Sequence, residues 1–452
     1  MTSEPRTSAL AKRVLDEYAA VRESLPAGVV SAARRREAIQ ALAAQGLPLT
    51  REENWRYSNL RPLERARFAP VAAADSAPMP LPVPPSGSEL PAKLDGFARY
   101  VFVDGVFAPT LSSPLELAGF SVRTLRREHP TATLARLPRA LPAVGSLPEA
   151  RLALLNEAFA TDTASIHVSA AAEEPPRVEL AFLAVAGADA GTSYPRVHVA
   201  LDPGTRLILL ERHVGAGGAA SFVNSSIEVE ISRGAQLTHY RLQQAGARAT
   251  WLDTLAAVLA ADARYRLLAI HTGALSARST SYVQMAGAGA ELSFSALALG
   301  ERQQVQDNFA LVEHLAPRAR TEQTFRGIAS GRARVAFNGK ITVRQSAPGT
   351  DSRQSLRGLL AGPEAEIDVR PQLEIYTDDV RCSHGATAGK LDESMLFYLL
   401  SRGLAPEVAQ RLLKWAFLED VVSRIDLPEV RRQIERELAG QMPDVASLQE
   451  IL

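Results

Sequence analysis

Cys382 and His384 stand two residues apart in the segment Asp378-Asp379-Val380-Arg381-Cys382-Ser383-His384-Gly385. On a β-strand, residues i and i+2 project from one face, so this spacing aims a thiol and an imidazole at one point. That donor pair suits iron or zinc. Asp378 and Asp379 are the nearest carboxylates, available as oxygen ligands or as hydrogen-bond acceptors that orient the ring. Two firm donors do not hold a metal ion tightly, and the competing reading is a buried free thiol beside an ordinary histidine. A Cys/His nucleophile fits less well, because an activating imidazole has to face the thiol and be oriented by a third group.

Two other chemistries fail on counting. Gly385-Ala386-Thr387-Ala388-Gly389-Lys390-Leu391 has three residues between its glycines and a Leu after the Lys, whereas a phosphate-binding loop needs four and a hydroxyl residue to hold magnesium. A carbohydrate-active β-helix would use paired carboxylates along a groove. The one pair that can be placed for such a site, the adjacent Asp378 and Asp379, would point to opposite faces of a strand.

The whole chain bounds the remaining choices. Its 452 residues carry 50 Lys plus Arg and 50 Asp plus Glu, a balance that gives no electrostatic footprint for nucleic acid. The single cysteine has nothing to pair with in the chain, which points to a reducing cytoplasmic compartment. It also cannot form a thiolate-rich cage, since an iron-sulfur cluster usually takes about four thiolate or imidazole ligands. With no signal-like start and no uncharged apolar run of bilayer length, a soluble protein without membrane contact is expected.

The elements around the motif fall into stretches. Residues 6–60 carry helical periodicity, with one segment opening at Ser31 and stopping at Gly46. In Glu52-Glu53-Asn54-Trp55-Arg56-Tyr57, the two aromatics are expected to anchor the lobe. Prolines crowd 69–93, excluding helix and sheet ladder alike. Tyr100–Phe107 reads as two strands around Asp104-Gly105, and Pro148–Phe159 as a helix.

Strand patterns then dominate for over two hundred residues. Turn-plus-strand units open at Gly204, Gly234, Asp262, Gly289 and, less clearly, Pro317, in steps of 30, 28, 27 and 28 residues. A strand-filled period of that length without intervening helices implies a β-solenoid, with an antiparallel sandwich as the alternative. Histidines 167, 198, 213, 239, 271 and 314 show no ligand-like spacing and read as ordinary strand or turn residues.

After Gly389 helices return. Asp392 caps one that Gly403 closes, Pro406 opens another reaching about Ile425, and a third carries Val430, Ile434 and Leu438. The middle helix is apolar on most sides and must be covered on most sides, either by the chain itself or by a partner. Leu412, Trp415 and Phe417, with Leu396, Phe397 and Tyr398 of the helix before, are the expected docking residues. The organisation is therefore an N-terminal helical domain (1–68), a Pro-rich linker (69–96), a strand and helix lead-in (97–160), a β-helix core (161–389) and a C-terminal helical domain (390–452).

The stretch Pro371–Thr387, continued through Leu391-Asp392-Glu393 and Leu396–Gly403, closely resembles the SufD branch of the SufB/SufD family of the SUF iron-sulfur cluster assembly system. Phe337-Asn338-Gly339-Lys340-Ile341, Gly349–Ser355 and Glu53–Tyr57 are similar to that family too. The chain departs from it in its long Pro-rich linker and at Gly358, where relatives carry a polar residue.

The resemblance implies a right-handed parallel β-helix between two helical domains and a non-catalytic scaffold. It further implies pairing with a SufB-like paralogue through the β-helices, and a SufC-like ABC ATPase docked on the C-terminal domain. A cysteine desulfurase or sulfur carrier would be met only indirectly, and a homodimer is possible when the chain is isolated. His384 and Cys382 match family residues at the interface between the paralogues. Transient iron, or a nascent iron-sulfur cluster, would be shared there with the partner, and no tightly bound cofactor is expected in the isolated chain. A metal-free β-solenoid interaction module is the rival function.

Overall fold

The structure, a computed structural model, describes residues 9–71, 90–125, 151–185, 191–215 and 220–442. Most of the Pro-rich stretch and the expected helix start at Pro148 lie outside the described residues. In chain order the strands are β1 (Ala98–Val103), β2 (Val106–Phe107), β3 (Phe120–Arg123), β4 (Ala164–Val168), β5 (Arg177–Ala184), β6 (Thr192–Ser193), β7 (Arg196–Leu201), β8 (Arg206–Gly215), β9 (Phe222–Ile231) and β10 (Gln236–Gln244). They continue as β11 (Thr250–Leu259), β12 (Arg264–His271), β13 (Ser276–Met285), β14 (Glu291–Gly300), β15 (Val305–His314), β16 (Arg320–Ala329), β17 (Arg334–Val343), β18 (Thr350–Leu360), β19 (Glu366–Ile375) and β20 (Val380–Gly389). The helices are α1 (Ala9–Val21), α2 (Ala32–Gln45), α3 (Arg151–Phe159), α4 (Glu393–Ser401), α5 (Pro406–Val422) and α6 (Pro428–Gln441).

From β7 to β20 successive strands alternate between two sheets and stack in parallel, which is the expected β-solenoid and excludes the antiparallel sandwich. One sheet runs β2-β1-β5-β8-β10-β12-β14-β16-β18-β20, the other β19-β17-β15-β13-β11-β9-β7-β4-β3. We call them the even and odd sheets after their terminal strands. Antiparallel pairing is confined to the start, where β2 folds on β1 and β3 on β4. The register Arg206, Gln236, Arg264, Glu291, Arg320, Asp351, Arg381 keeps equivalent residues in line along the rod.

The corners explain the repeat. The corners that lead into β8, β10, β12, β14, β16 and β18 each hold one residue at positive φ, a glycine at Gly204 (73°), Gly234 (68°), Gly289 (70°) and Gly349 (74°), while Asp262 (57°) and Arg318 (59°) take the same place without glycine. That is why the signal blurs at Pro317-Arg318 in the sequence and the coil does not.

Inside the rod, Leu209, Leu237, Leu267, Leu255, Val283 and Phe325 belong to one buried core. The outer faces are covered too, so the strands read as almost continuously buried. On the even sheet, Leu210, Tyr240, Leu268, Leu297 and Ile328 pack against Leu418, Val421, Val422, Ile434 and Leu438 of α5 and α6. Arg212 to Glu437 (2.8 Å), Arg177 to Glu429 (2.7 Å) and Arg326 to Asp420 (2.8 Å) fasten the same helices. On the odd sheet, α1, α2 and α3 pack against Phe222 and Leu252.

The Glu53–Ser58 segment extends that cover along the odd sheet. Trp55 is buried under the Arg278 guanidinium at 4.4 Å, Asn54 accepts from Asn338 (3.1 Å), Tyr57 lies against Arg334, Ser58 donates to Asp307, and Glu53 pairs with Arg370 of β19. The aromatics are anchors, as the sequence suggests.

The histidines divide. His167 and His198 lie at the surface or half-buried, but His213, His239, His271 and His314 are buried. Glu211, fully buried, accepts from His213 (2.6 Å), His239 (3.1 Å) and Arg241 (3.0 and 2.8 Å), and Arg241 also donates to Asp253 (2.8 and 2.9 Å). Burial alone would raise the Glu211 pKa, but Arg241 and the two imidazoles overcome it and hold the carboxyl well below the usual range. This network joins neighbouring coils inside the rod, and nothing in the local sequence announces it.

Burial pushes His271 down to about 3 and His314 down to about 4. Both are neutral in the fold, while the unfolded chain takes up a proton at each near pH 6.5. These two groups therefore leave stability unchanged above that pH and lower it progressively as pH drops from 6.5 toward 4. The thermal unfolding midpoint should be clearly lower at pH 5 than at pH 7.5, by an amount on the order of a few kcal/mol of stability. His271→Gln should flatten that dependence; an equal slope in the variant would exclude His271 as a source.

Candidate metal half-site at the open end of the solenoid

β20 closes the even sheet and β19 closes the odd one, each paired on one side only. In β20 the inward positions follow those of β18. Cys382 stacks on Ser352, His384 on Gln354 and Ala386 on Leu356, whose side chains are all buried in the rod. Cys382 and His384 thus share the inner face, as their spacing requires, at the place where no further coil covers it. Across from them Ile367, Val369 and Leu373 of β19 are only half-buried, and Ile375 and Tyr376 are exposed.

The two donors differ in setting. Cys382 is half-buried against the core, and burial together with the Asp351 carboxylate pushes its thiol above the ordinary value, against a smaller pull from the Ser352 backbone. His384 is exposed. Asp378 and Asp379 do not lie on the strand but on the corner ahead of it, where the Asp379 carbonyl accepts from Gly349 N–H (2.7 Å). Neither carboxylate is hydrogen-bonded to His384. The tight corner into Val380 uses their backbone and leaves both side chains in solvent.

Below the pair, the rod's interior turns polar. Cys382 continues the line Thr321, Ser352, and His384 the line Gln323, Gln354. Among the described residues no three His, Cys, Asp or Glu side chains converge to hold a metal ion. The residues missed from sequence are these buried polar ones. Their signal was a run of polar residues at the inward positions Thr321, Gln323, Ser352 and Gln354, where β14 places Leu292 and Phe294.

The C-terminal residues separate into two groups. Leu412, Trp415 and Phe417 pack in part against the outer face of the even sheet. Phe397 (72% exposed) and Tyr398 (56%) stand in solvent with Met395 and Leu400, and Leu396 is half-buried. α4 is well formed, its Asp392 cap accepting from Ser394 N–H (2.8 Å) and Met395 N–H (3.0 Å), yet beyond its contact with α5 it has no fully buried side chain. Among the described residues no helix is long and apolar enough to cross a membrane.

Comparison with known proteins agrees with this geometry. Residues 183–417, just over half of the chain, match the SufBD core domain of the SUF system for FeS cluster assembly. The chain belongs to the SufBD family. It is 29% identical to the iron-sulfur cluster assembly protein SufD of Escherichia coli over 411 residues, which cover 90% of this chain and 92% of that protein. The SufBD family protein slr0076 of Synechocystis is 27% identical over 427 residues, 89% of each chain. The chloroplastic protein ABCI7 of Arabidopsis thaliana is 29% identical over 252 residues, 55% of this chain and 53% of that protein. The chain is a SufD-type member, and SUF iron-sulfur cluster assembly is the process it serves.

The thiol gives a direct check. Alkylation of Cys382 at pH 8 should be slower than that of an unhindered cysteine, and Asp351→Asn, by removing a charge that opposes the thiolate, should speed it several-fold. Equal rates would remove Asp351 from the account.

Proposed function

We propose that this chain is a non-catalytic scaffold subunit for nascent iron-sulfur clusters, and that it completes its metal site only with a partner. The observation that carries the reading is the placement of Cys382 and His384 on the inward face of a terminal strand whose outer edge is unpaired. Two donors leave an iron atom short of ligands, and the open end is where a second molecule can supply them. A SufB-like paralogue fits that role, because a coil of the same cross-section would pair with both edges and cover Ile367, Val369 and Leu373. Exposed strand edges of this kind seek another strand unless blocked. Iron would be bound in passing, through one imidazole nitrogen and, where its proton is lost, the Cys382 sulfur.

The second docking surface is α4. Met395, Phe397, Tyr398 and Leu400 form an apolar face too exposed for an isolated chain, and a SufC-like ATPase is the partner that the family resemblance supplies. Movement of that ATPase would reach the rod through α5 and α6, which are fastened to the even sheet by buried apolar contacts and ion pairs. A sulfur donor would act on the assembled complex and not on this chain alone. The compartment expected for these steps is the cytoplasm.

Two substitutions test the two surfaces. His384→Ala should leave folding and co-purification with the paralogue intact while abolishing cluster formation by the assembled complex; undiminished cluster yield would reject the metal role and favour a metal-free interaction module. Phe397→Asp changes an exposed side chain, so the fold should survive while ATPase binding drops at least tenfold, and retained binding in a pull-down would place the docking site elsewhere. Removing all of 391–452 is a poorer test, because it would strip α5 and α6 from the even sheet and bare its apolar outer face.

A further inference from the structure

Gln354 lies directly beneath His384 in the parallel ladder, on the same inward face, and is 4% exposed. Its amide nitrogen uses both hydrogens, donating to Gln323 Oε1 (2.6 Å) and to the Gly339 carbonyl (3.1 Å). Rotating the amide would set its oxygen against two acceptors, so the network fixes which end is which. The oxygen left over, Gln354 Oε1, is buried and has no hydrogen bond within the chain.

A buried carbonyl oxygen without a donor is a costly arrangement, and the open end is the side from which a donor can come. We propose that Gln354 is the positioning residue of His384. Its free amide oxygen accepts the imidazole N–H, holds the ring in one tautomer, and leaves the other nitrogen, with its lone pair, turned toward the open end. Parallel strands lie about 4.8 Å apart, so rotation about the two side-chain torsions of His384 is enough to bring a ring nitrogen to the amide oxygen. Metal-binding histidines commonly have their second nitrogen held in this way.

The surrounding residues are built for the amide pair. Gly339 faces it, and a Cβ there would lie 3.0 Å from Gln354 Nε2 and 3.1 Å from Gln323 Oε1. Any larger residue would displace one amide or the other. Segments far apart in sequence, around Gln323, Gly339 and Gln354, therefore converge on the support of one histidine. What the ring is positioned for rests on the function proposed above; the hydrogen bond itself does not.

The test labels the imidazole nitrogens of the full-length chain with 15N and reads His384 at pH 8, its signal assigned by its loss in His384→Ala. The wild type should show two well-separated ring nitrogen shifts, those of a single neutral tautomer. Gln354→Leu, which removes the acceptor, should bring the two shifts together by averaging, and Gln354→Glu, which keeps an acceptor, should restore the separation. Averaged shifts in the wild type, or unchanged shifts in Gln354→Leu, would overturn the inference. If Gln354→Leu does not fold, Gly339→Ala presses on the same amides and should give the averaged pattern; an unchanged pattern there counts against it. Failure of His384 to support cluster formation would sink the metal role while leaving this measurement standing.

Discussion

A parallel solenoid satisfies each coil with the next, and for that reason cannot satisfy its last one. Every inner strand here exchanges hydrogen bonds on both sides and buries its inward residues under a neighbour. β19 and β20 have that support on one side only. The unpaired backbone, the half-covered Ile367, Val369 and Leu373, and the inward-facing Cys382 and His384 are consequences of one topological fact. A site placed there is exposed without lying on a loop and is held to the register of the whole rod.

The remainder of the molecule protects the other surfaces of that rod. The N-terminal helices and the Glu53–Ser58 segment lie over the odd sheet, and α5 and α6 lie over the even sheet. The Glu53 to Arg370 pair carries the N-terminal cover as far as the last odd strand. Among the described residues near the C-terminus, apolar side chains are left exposed at the open end and on α4, and the two sit close in the chain, separated by Lys390 to Asp392.

The interior follows two rules along its length. In the middle coils it is leucine, phenylalanine and alanine, interrupted by the Glu211, Arg241 and Asp253 network, where charges are tolerated because each is answered by another or by an imidazole. Toward the open end it becomes neutral and polar, with Thr321, Ser352, Gln323 and Gln354 below the two donors. Polar groups inside a rod need partners, and the unpartnered amide oxygen of Gln354 lies one strand below the end at which the coil stack stops.

How much of this was legible depends on the range of the interactions involved. The helix caps at Ser31, Gly46, Asp392 and Gly403, the corner glycines and the shared face of Cys382 and His384 depend on backbone geometry within a few residues, so residue type and spacing alone determined them. The solenoid followed from the recurrence of those corners. What only the tertiary structure decided lies across coils. It set Glu211 against Arg241 thirty residues on, placed Asp378 and Asp379 on a corner away from the ring, seated Leu412, Trp415 and Phe417 partly against the rod, and brought Gln354 beneath His384. Each of those depends on which strand stacks on which, a register fixed by the summed packing of the whole rod and recorded in no single segment of the chain.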